Sequence, residues 1–263
     1  QWCALQSEVD SYYHDKPREK KTLSQEKEFR QIKNAVIQEA ERIRLGEISF
    51  EDDGISQTDE PEHVRNESQA CRELWRIIRN EDISLDYRDR AAEKLEQVAE
   101  RGDAHAQYRM GQLYRDGPLL IPDNHKAKHW LTQAAKQGLP EAQYALGKLL
   151  LSDDWEVRDP DEGIHWLKQA AENGSHFAAY RLGKEYLEGN AVNKDTVRAA
   201  DWFTKSAEAG NQYAQYMLGK LHLTGQGLSQ DQAQAMVWFS RSAAQGNQYA
   251  QFFLEQRDDL RPP

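Results

Sequence analysis

Apolar and small residues recur from about residue 103 onwards with the spacing of amphipathic helices. In one kind of segment they occupy positions i, i+4, i+5 and i+8, as at Ala106, Met110, Gly111 and Tyr114. A second kind of segment opens with a tryptophan and closes eight positions later with a glycine. Both kinds return every 36 residues, and such a period predicts stacked helical hairpins. The tryptophans at this step are Trp130, Trp166, Trp202 and Trp238.

Capping residues indicate where the helices begin and end. The glycine that closes each second segment, such as Gly138, suits the left-handed position that follows a helix. Asp159 before Pro160 predicts a helix N-terminus, and Ser229 predicts the corresponding start in the fourth unit. The glycine inside each first segment, such as Gly111, weakens its helix by about 1 kcal/mol, so we expect a neighbouring helix to approach closely there.

The tryptophan and the Leu or Phe that follows it are expected to supply the bulk of each core. The alanine pair further along the second segment, Ala134 and Ala135 in the first unit, is expected to help the close approach to the internal glycine. On this interpretation the tryptophans are buried between helices and set the pitch of the stack, so they belong to the scaffold and not to a binding site.

The motifs A-x-Y-x-L-G-x-L-Y and W-[LF]-x-x-[AS]-A-x-x-G together resemble the Sel1-like repeat, a relative of the tetratricopeptide repeat. The resemblance covers roughly residues 88–255. It implies an all-α fold, a right-handed α/α superhelical solenoid of four 36-residue helix-turn-helix repeats with degenerate caps. The second unit departs from the motif at Ser152–Trp155, where the family's usual glycine-containing turn is missing.

The chain divides into three predicted regions. Residues 1–66 hold an amphipathic helix candidate, Ser24–Leu45, and most of an acidic linker. Residues 67–102 are predicted to form degenerate capping helices, and residues 103–263 the solenoid.

Both ends of the predicted stack depart from the repeat motif. Helices are expected over Ala70–Arg79, which lacks the first-segment motif, and over Arg88–Gly102, which lacks the tryptophan. At the other end Glu255 stands where a fifth internal glycine belongs. Terminal repeats are expected to be atypical because one of their faces meets water.

Charge and cysteine content narrow the functional classes. A net charge of −10 disfavours direct nucleic-acid binding by the surface as a whole. The sequence has no membrane-spanning segment and its first residues lack the pattern of a signal peptide. The two cysteines, Cys3 and Cys71, lie outside the repeats, which favours a reducing cytoplasm.

Residues with catalytic or metal-binding chemistry are few. His125 and His129 are spaced for one helix face, but no Cys, Asp or Glu completes an obvious ligand set, so we interpret them as solvated histidines. Ser24 and Lys27 have the spacing of penicillin-recognising enzymes without the companion motifs, and Ser24 also suits a helix start. The sequence therefore predicts no enzyme activity, no cofactor and no metal site.

The candidate binding face lies on the first segments of successive repeats. The 36-residue step aligns a lysine row with an aromatic row and with a third row that holds two arginines. Such a face, generally concave in solenoids of this kind, suits an extended acidic or C-terminal peptide. The alternatives are that the aromatics pack between repeats and that the lysines only solvate a helix face. The partner-binding candidates are Lys148, Lys184, Lys220, Arg109, Arg181, Phe177, Tyr213 and Tyr249.

Three functional hypotheses follow, of which a protein- or peptide-binding scaffold without catalysis leads. For the second, Tyr114–Pro122, Leu149–Pro160 and Gly246–Leu254 are similar to the Sel1-like tail of mobilisation relaxases from bacterial integrative elements. Because the chain lacks a His-x-His pair, the DNA-nicking chemistry of those enzymes is not carried over, and the chain would be an interaction tail. The third is a β-lactam hydrolase, as claimed for some secreted relatives of the repeat.

Overall fold

Helices account for all the regular secondary structure in the residues that the computed structural model describes, 69–117 and 119–258. In chain order they are α1 (Gln69–Arg79), α2 (Leu85–Glu100), α3 (Ala104–Asp116), α4 (Asn124–Lys136), α5 (Pro140–Leu150), α6 (Pro160–Glu172), α7 (His176–Glu188), α8 (Thr196–Glu208), α9 (Gln212–Thr224), α10 (Gln232–Ala244) and α11 (Gln248–Asp258).

Each helix from α1 to α10 packs against its neighbours in the chain. The four repeats are the pairs α3–α4, α5–α6, α7–α8 and α9–α10, and buried apolar side chains fill the space between successive helices. The core therefore extends along the stack instead of collecting at one centre. This arrangement confirms the predicted all-α solenoid of helix-turn-helix repeats.

The two helices expected ahead of the repeats are present as α1 and α2. Arg88 is buried at their junction, where its Nε donates a hydrogen bond to O of Ile78 at 2.8 Å. The Ser24–Leu45 helix candidate, Cys3, and the spacing of Ser24 and Lys27 lie outside the described residues. The division of the chain at residues 66 and 102 stays a prediction.

The glycines that follow the second helices adopt the predicted left-handed conformation. Gly138, Gly174, Gly210 and Gly246 have φ angles of 86°, 93°, 94° and 91°. A residue with a Cβ costs about 1 kcal/mol at such a φ. Every repeat therefore ends in the same turn, which keeps the 36-residue step constant.

A close helix contact explains the glycine inside each first helix. A Cβ added at Gly111 would lie 2.6 Å from Cγ of Leu131, and one added at Gly183 would lie 2.7 Å from Cδ1 of Phe203. The other two repeats show the same contact. The expected close approach is confirmed, and the residue after the tryptophan is the side chain that fills this space.

The tryptophans are less buried than predicted. Trp130 is buried, whereas Trp166, Trp202 and Trp238 are only half-buried. Nζ of Lys205 lies 4.2 Å from the centre of the Trp202 ring, so a charged group covers part of this indole. The Leu or Phe after each tryptophan is fully buried instead and contributes more to the inter-helix core.

Aspartates cap the second helices. Asp159 accepts a hydrogen bond from N of Glu162 at 3.0 Å, as predicted. The prediction for the fourth repeat was wrong: Asp231 and not Ser229 is the N-cap of α10, and it accepts from N of Gln234 at 3.0 Å. Asp231 lies 72 residues, two full steps, after Asp159, so the repeat period outweighs local capping preference.

The loop between α5 and α6 differs from the corresponding loops of the other repeats, but the difference does not change the register of the next helix. Helix α5 ends at Leu150 without the left-handed glycine that follows α7 and α9. N of Asp159 nevertheless donates to O of Leu150 at 2.9 Å, which matches the 2.7 Å bond from Asp123 to Tyr114 in the first repeat. The chain thus returns to the common register before α6 begins.

A polar ladder that the sequence patterns did not reveal joins the repeats. Nε2 of Gln143 in α5 donates to O of Ala135 in the preceding repeat at 3.2 Å. Oε1 of Gln143 accepts from Nδ2 of Asn173, just after α6, at 2.9 Å. Gln107 and Gln215 make the same two kinds of bond in the first and fourth repeats. The third repeat has alanine at both positions of the ladder.

Candidate functional site

The eight predicted binding residues lie on the first helices of successive repeats and on α11. All eight side chains are half-buried, so each combines contacts within the solenoid with some accessible surface. We refer to them together as the first-helix face. Its members are Arg109 in α3, Lys148 in α5, Phe177, Arg181 and Lys184 in α7, Tyr213 and Lys220 in α9, and Tyr249 in α11.

The aromatic row packs between repeats. The ring centre of Phe177 lies 6.2 Å from that of Tyr144, and the ring centre of Tyr213 lies 6.1 Å from that of Tyr180. Tyr249 makes the equivalent contact in the next unit. Tilted ring pairs at these distances stabilise packing beyond the area they bury. The aromatic row therefore contributes to the stack whether or not it also contacts a ligand.

Lysines of the first-helix face lie over tyrosine rings. Nζ of Lys148 is 5.7 Å from the ring centre of Tyr144, and Nζ of Lys220 is 5.5 Å from that of Tyr216. Lys184 has the matching position in α7. Because an ammonium group is attracted to the face of an aromatic ring within about 6 Å, these contacts restrain the lysine side chains. Their charges are thus held at repeated places along the face.

Arg109 connects the first repeat to the N-terminal helices. Its Cζ lies 4.9 Å from the ring centre of Trp75 in α1, and its Nη1 donates to Oε1 of Gln112 at 3.3 Å. The guanidinium therefore stacks on an aromatic ring of a neighbouring helix while part of it stays accessible. This contact gives Arg109 a packing role in addition to its charge.

Arg181 compensates a buried carboxylate. Its Nε lies 2.9 Å from Oε1 of Glu185, which is 3% exposed. The other three repeats have leucine at the position of Glu185. A buried carboxylate is costly unless an opposite charge is close, so the ion pair makes Arg181 part of the internal structure of α7.

Glu141 occupies the place in α5 that aromatic residues hold in later repeats. It is half-buried, and its Oε2 has no hydrogen-bond partner within the described part of the chain. Burial raises the pKa of the Tyr108 hydroxyl, and the Glu141 carboxylate adds to this rise while Arg109 opposes it. The first-helix face is therefore not uniformly basic, because a carboxylate interrupts it between the first and second repeats.

The two spaced histidines make separate contacts. Nε2 of His125 lies 3.2 Å from Oε2 of Glu156, and Nε2 of His129 lies 2.7 Å from Nε2 of Gln133. Across residues 69–117 and 119–258, no group of three or more His, Cys, Asp or Glu side chains is placed to hold a metal ion. Over the same residues, no helix has the length and apolar character needed to cross a membrane.

Comparison with protein families accounts for the repeated geometry. The Sel1 repeat family model matches four consecutive segments, 104–139, 140–175, 176–211 and 212–247, which make up more than half of the chain. The chain belongs to the Sel1 repeat family. Each matched segment begins at the start of a first helix and ends one residue after the left-handed glycine, so the Sel1 boundaries coincide with the structural repeat.

Solved structures of other Sel1 repeat proteins share the fold. The chain is similar to c5321, a protective antigen present in uropathogenic Escherichia coli strains, with 31% identity and a TM-score of 0.64 over 70% of this chain and 39% of that one. It is also similar to a Sel1 repeat protein from Oxalobacter formigenes, with 34% identity and a TM-score of 0.56 over 64% of this chain and 49% of that one. The matched regions thus span less than half of either relative.

A second family model matches the part of the chain ahead of the Sel1 repeats. Residues 1–90 are similar to the MobL relaxases. Among the described helices this match includes α1 and the beginning of α2. The comparison with curated proteins gave no significant match.

Proposed function

We propose that this Sel1 repeat chain is a protein- or peptide-binding scaffold without catalysis of its own, and that the first-helix face, on the concave side of the solenoid, is its binding surface. The observation that carries the proposal is the recurrence of Lys148, Lys184 and Lys220 at one place per repeat. Two of these lysines are restrained by tyrosine rings, and a half-exposed aromatic row runs beside them.

An extended acidic peptide, or a C-terminal one, fits this arrangement. Ring contacts join successive first helices, and packed helices lie about 8–10 Å apart. An extended chain rises about 3.3 Å per residue, so one lysine would be met about every three residues of the ligand. Carboxylates at that spacing would pair with the lysines while apolar side chains contact the aromatic row.

Amino-acid composition supports three further parts of the proposal, which concern the ligand class, the cellular compartment and the lack of catalysis. The net charge of −10 argues against nucleic acid as the direct ligand, and the low cysteine content favours the cytoplasm. The sequence offers no set of residues suited to bind a cofactor or to catalyse a reaction. We therefore do not expect enzymatic activity, including hydrolysis of β-lactams. Turnover of the chromogenic β-lactam nitrocefin by the purified chain would contradict this part of the proposal.

Fluorescence anisotropy with synthetic acidic peptides tests the binding face. Peptides with Glu or Asp at every third position, with a free or an amidated C-terminus, are titrated with the full chain. We expect the double substitution Lys184→Ala and Lys220→Ala to weaken binding by at least about tenfold, because charge-assisted hydrogen bonds contribute about 1.5–3 kcal/mol each. The melting temperature is expected to fall by no more than about 2–4 °C, since lost cation–π contacts are worth about 1 kcal/mol.

The matched control is Lys136→Ala, which removes an exposed lysine from the second helix α4. We expect this variant to bind the acidic peptides as the unmodified chain does. If Lys136→Ala weakens binding as much as the double substitution, the peptides respond to total charge and the first-helix face is not the binding surface. If none of the acidic peptides binds at low ionic strength, the proposed ligand class is wrong.

A second candidate places this scaffold in a larger context, as the C-terminal interaction tail of a conjugative mobilisation relaxase. The observation that favours it is the similarity of residues 1–90 to the MobL relaxases, directly ahead of the Sel1 repeats. In that setting the repeats would bind proteins of the transfer machinery, and the nicking chemistry would belong to another domain. The scaffold proposal and this context are compatible, because one names the ligand surface and the other its use.

The open reading frame upstream of Gln1 tests the relaxase context. A continuous frame that encodes a nicking domain with a histidine metal site and a tyrosine would support it. A nearby start codon, or a frame that encodes an unrelated domain, would contradict it and leave the peptide-binding proposal in place.

A further inference from the structure

The two most exposed large apolar side chains among the described residues lie on neighbouring inter-helix loops. Ile121, between α3 and α4, is 87% exposed, and Trp155, between α5 and α6, is 81% exposed. Single exposed apolar residues are ordinary on protein surfaces, but tryptophan is largely buried on average. An indole with this exposure, on the loop that departs from the repeat motif, needs a physical explanation.

Hydrogen bonds join the two loops. Nδ2 of Asn124, three residues after Ile121, donates to Oδ2 of Asp154, next to Trp155, at 2.7 Å. Nε2 of His125 lies 3.2 Å from Oε2 of Glu156, the residue after Trp155. The two loops therefore form one edge of the solenoid, which we call the loop edge and define by residues 119–124 and 152–158.

Both loops are also held from inside. Val157 is 2% exposed and belongs to the apolar core of the first two repeats, while Leu119 and Leu120 pack against the cluster that contains Trp130. Oγ of Ser152 donates to O of Leu149 at 2.7 Å. The anchoring side chains point inward, and Trp155 is left in solvent on a fixed backbone. A fixed backbone lowers the entropy lost when such a side chain binds.

Exposed carboxylates flank Trp155 in the sequence of its loop. Asp153 is fully exposed and lies 3.6 Å from Nη1 of Arg158, too far for a strong hydrogen bond. Glu156, Asp159 and Asp161 are also exposed. In sequence, Trp155 is flanked by Asp153, Asp154 and Glu156, and the side chains that contact Asp153 and Glu156 are Arg158 and His125. The edge therefore combines an apolar centre with a negative rim, the reverse of the charge on the lysine row.

We propose that the loop edge is a second protein-binding surface, and that its partner presents apolar side chains flanked by Lys and Arg. Trp155 is the anchor that packs against these apolar side chains, Ile121 extends the apolar contact, and Asp153 and Glu156 pair with the flanking Lys and Arg. Aromatic anchors at the centre of an interface, ringed by polar contacts, commonly provide most of the binding energy. The proposal is independent of the first-helix face, because it uses different residues and selects a partner of opposite charge.

A random-peptide display library, selected on the full chain and counter-selected on Trp155→Ala, tests this surface. We expect the surviving peptides to carry Lys or Arg around apolar residues. The selected peptides are then synthesised, and their affinity for each variant is measured by fluorescence anisotropy. Their affinity for Trp155→Ala should be about 30-fold lower than for the unmodified chain, as expected for a hot-spot residue. Ile121→Ala and the double substitution Asp153→Asn and Glu156→Gln should each weaken binding, and the latter should also reduce its salt dependence.

Two controls separate this surface from general effects. Val197→Ala removes an apolar side chain that is 58% exposed in α8, away from the loop edge in sequence, and should leave peptide binding unchanged. Lys184→Ala with Lys220→Ala should also leave it unchanged, because a loss there would assign the peptides to the first-helix face. The thermal unfolding of Trp155→Ala should match that of the unmodified chain, and Trp155→Phe should retain part of the binding.

The outcomes that overturn the proposal are distinct. If selection yields only peptides that bind Trp155→Ala equally well, or Trp155-dependent peptides without basic residues, the proposed partner is wrong. Self-association of the unmodified chain in analytical ultracentrifugation, abolished by Trp155→Ala, would make a second copy of the chain the occupant. Selection that enriches no Trp155-dependent peptide would show that the loop edge has no such binding role.

Discussion

Asn173 donates a hydrogen bond from Nδ2 to Oε1 of Gln143 at 2.9 Å, and so connects the end of α6 to the first helix of its own repeat. Gln143 in turn donates to O of Ala135 in the preceding repeat at 3.2 Å, and it is 3% exposed. One buried amide therefore joins two successive second helices. Because water cannot replace a lost partner at a buried site, this ladder should contribute measurably to stability.

We expect Gln143→Ala to lower the free energy of unfolding by about 1–3 kcal/mol, because it removes two hydrogen bonds, one to O of Ala135 and one from Nδ2 of Asn173, while O of Ala135 keeps its bond from N of Gly138. Urea denaturation followed by circular dichroism measures the change. Gln234→Ala is the matched control, since it removes an exposed glutamine side chain from α10 and should stay within about 0.5 kcal/mol. Equal effects of the two substitutions would show that the ladder has no special role.

The third repeat offers the reverse experiment. It has alanine at both ladder positions, Ala179 and Ala209. We expect Ala179→Gln alone to destabilise the chain, because it places an amide at a buried position with incomplete partners. Adding Ala209→Gln should recover about 0.5–1.5 kcal/mol of the free energy of unfolding, because the two new glutamine side chains can form a hydrogen bond with each other. Denaturation of the two single variants and the double variant gives the coupling, and an additive result would rule out a bond between the two glutamines.

Periodicity predicted the helices and the repeat because both depend on local spacing. The left-handed turn at Gly138 follows from a single residue type at a fixed position. The choice of side chain that fills the space at Gly111 does not follow in this way. Tryptophan is the larger candidate, yet the adjacent Leu131 lies on the helix face that meets the glycine. Which of two neighbouring apolar residues turns inward depends on how the helices cross, and the sequence does not specify that angle.

The candidate site was predictable only in part, for a similar reason. The 36-residue step predicted that Lys148 and Lys220 occupy matched positions. It did not predict that each lysine lies over a tyrosine ring that restrains it. Gln143 looked like an ordinary polar residue, since a glutamine gives no apolar signal when it is buried. Trp155 was recognised as part of an irregular loop, but its exposure follows from the inward anchor at Val157, which only the packed structure shows.

Gly183→Ala should destabilise the solenoid although alanine is the better helix former. Intrinsic propensity favours the change by about 1 kcal/mol. The new Cβ would lie 2.7 Å from Cδ1 of the fully buried Phe203, and overpacking of this kind costs about 1–3 kcal/mol or more. We therefore expect net destabilisation in urea denaturation. A stabilised variant would mean that the helices separate easily at this contact.

A double-mutant cycle distinguishes the steric effect from any other effect of Gly183→Ala. In the Phe203→Ala background the neighbouring ring is gone, and the same substitution should become neutral or stabilising. Phe203→Ala alone is expected to cost about 3–5 kcal/mol, because it removes a fully buried aromatic ring. Additive costs in the double variant would place the origin of the Gly183 effect outside this contact.

Stability should decrease between neutral and mildly acidic pH because of His176. Burial lowers the pKa of the His176 imidazole below its usual value of about 6.5, and its Nδ1 lies 3.3 Å from Nδ2 of Asn211. The unfolded chain therefore binds a proton at a higher pH than the folded chain does. The contribution is complete above pH 6.5 and is lost progressively as the pH falls below it towards the folded-state pKa.

Urea denaturation at a series of pH values, together with an NMR titration of the histidine ring, measures this effect. His176→Gln should remove the part of the pH dependence that arises from this residue. Gln234→Ala, which changes an exposed side chain without a titrating group in α10, is the control and should leave the pH dependence unchanged. An NMR pKa for His176 above 6.5 would contradict the prediction directly.

The ion pair between Arg181 and Glu185 allows the binding role of Arg181 to be separated from its structural role. Arg181→Ala should cost about 3 kcal/mol, because it leaves the carboxylate of Glu185 buried without its cation. The double substitution Arg181→Met and Glu185→Leu introduces the pair that the fourth repeat already has, Met217 and Leu221, and should be neutral or stabilising. Thermal and urea denaturation measure both effects. The double variant is expected to keep the fold while it removes a positive charge from the first-helix face. Weaker binding of acidic peptides by this variant would assign Arg181 to the ligand surface. Unchanged binding would restrict Arg181 to a structural role.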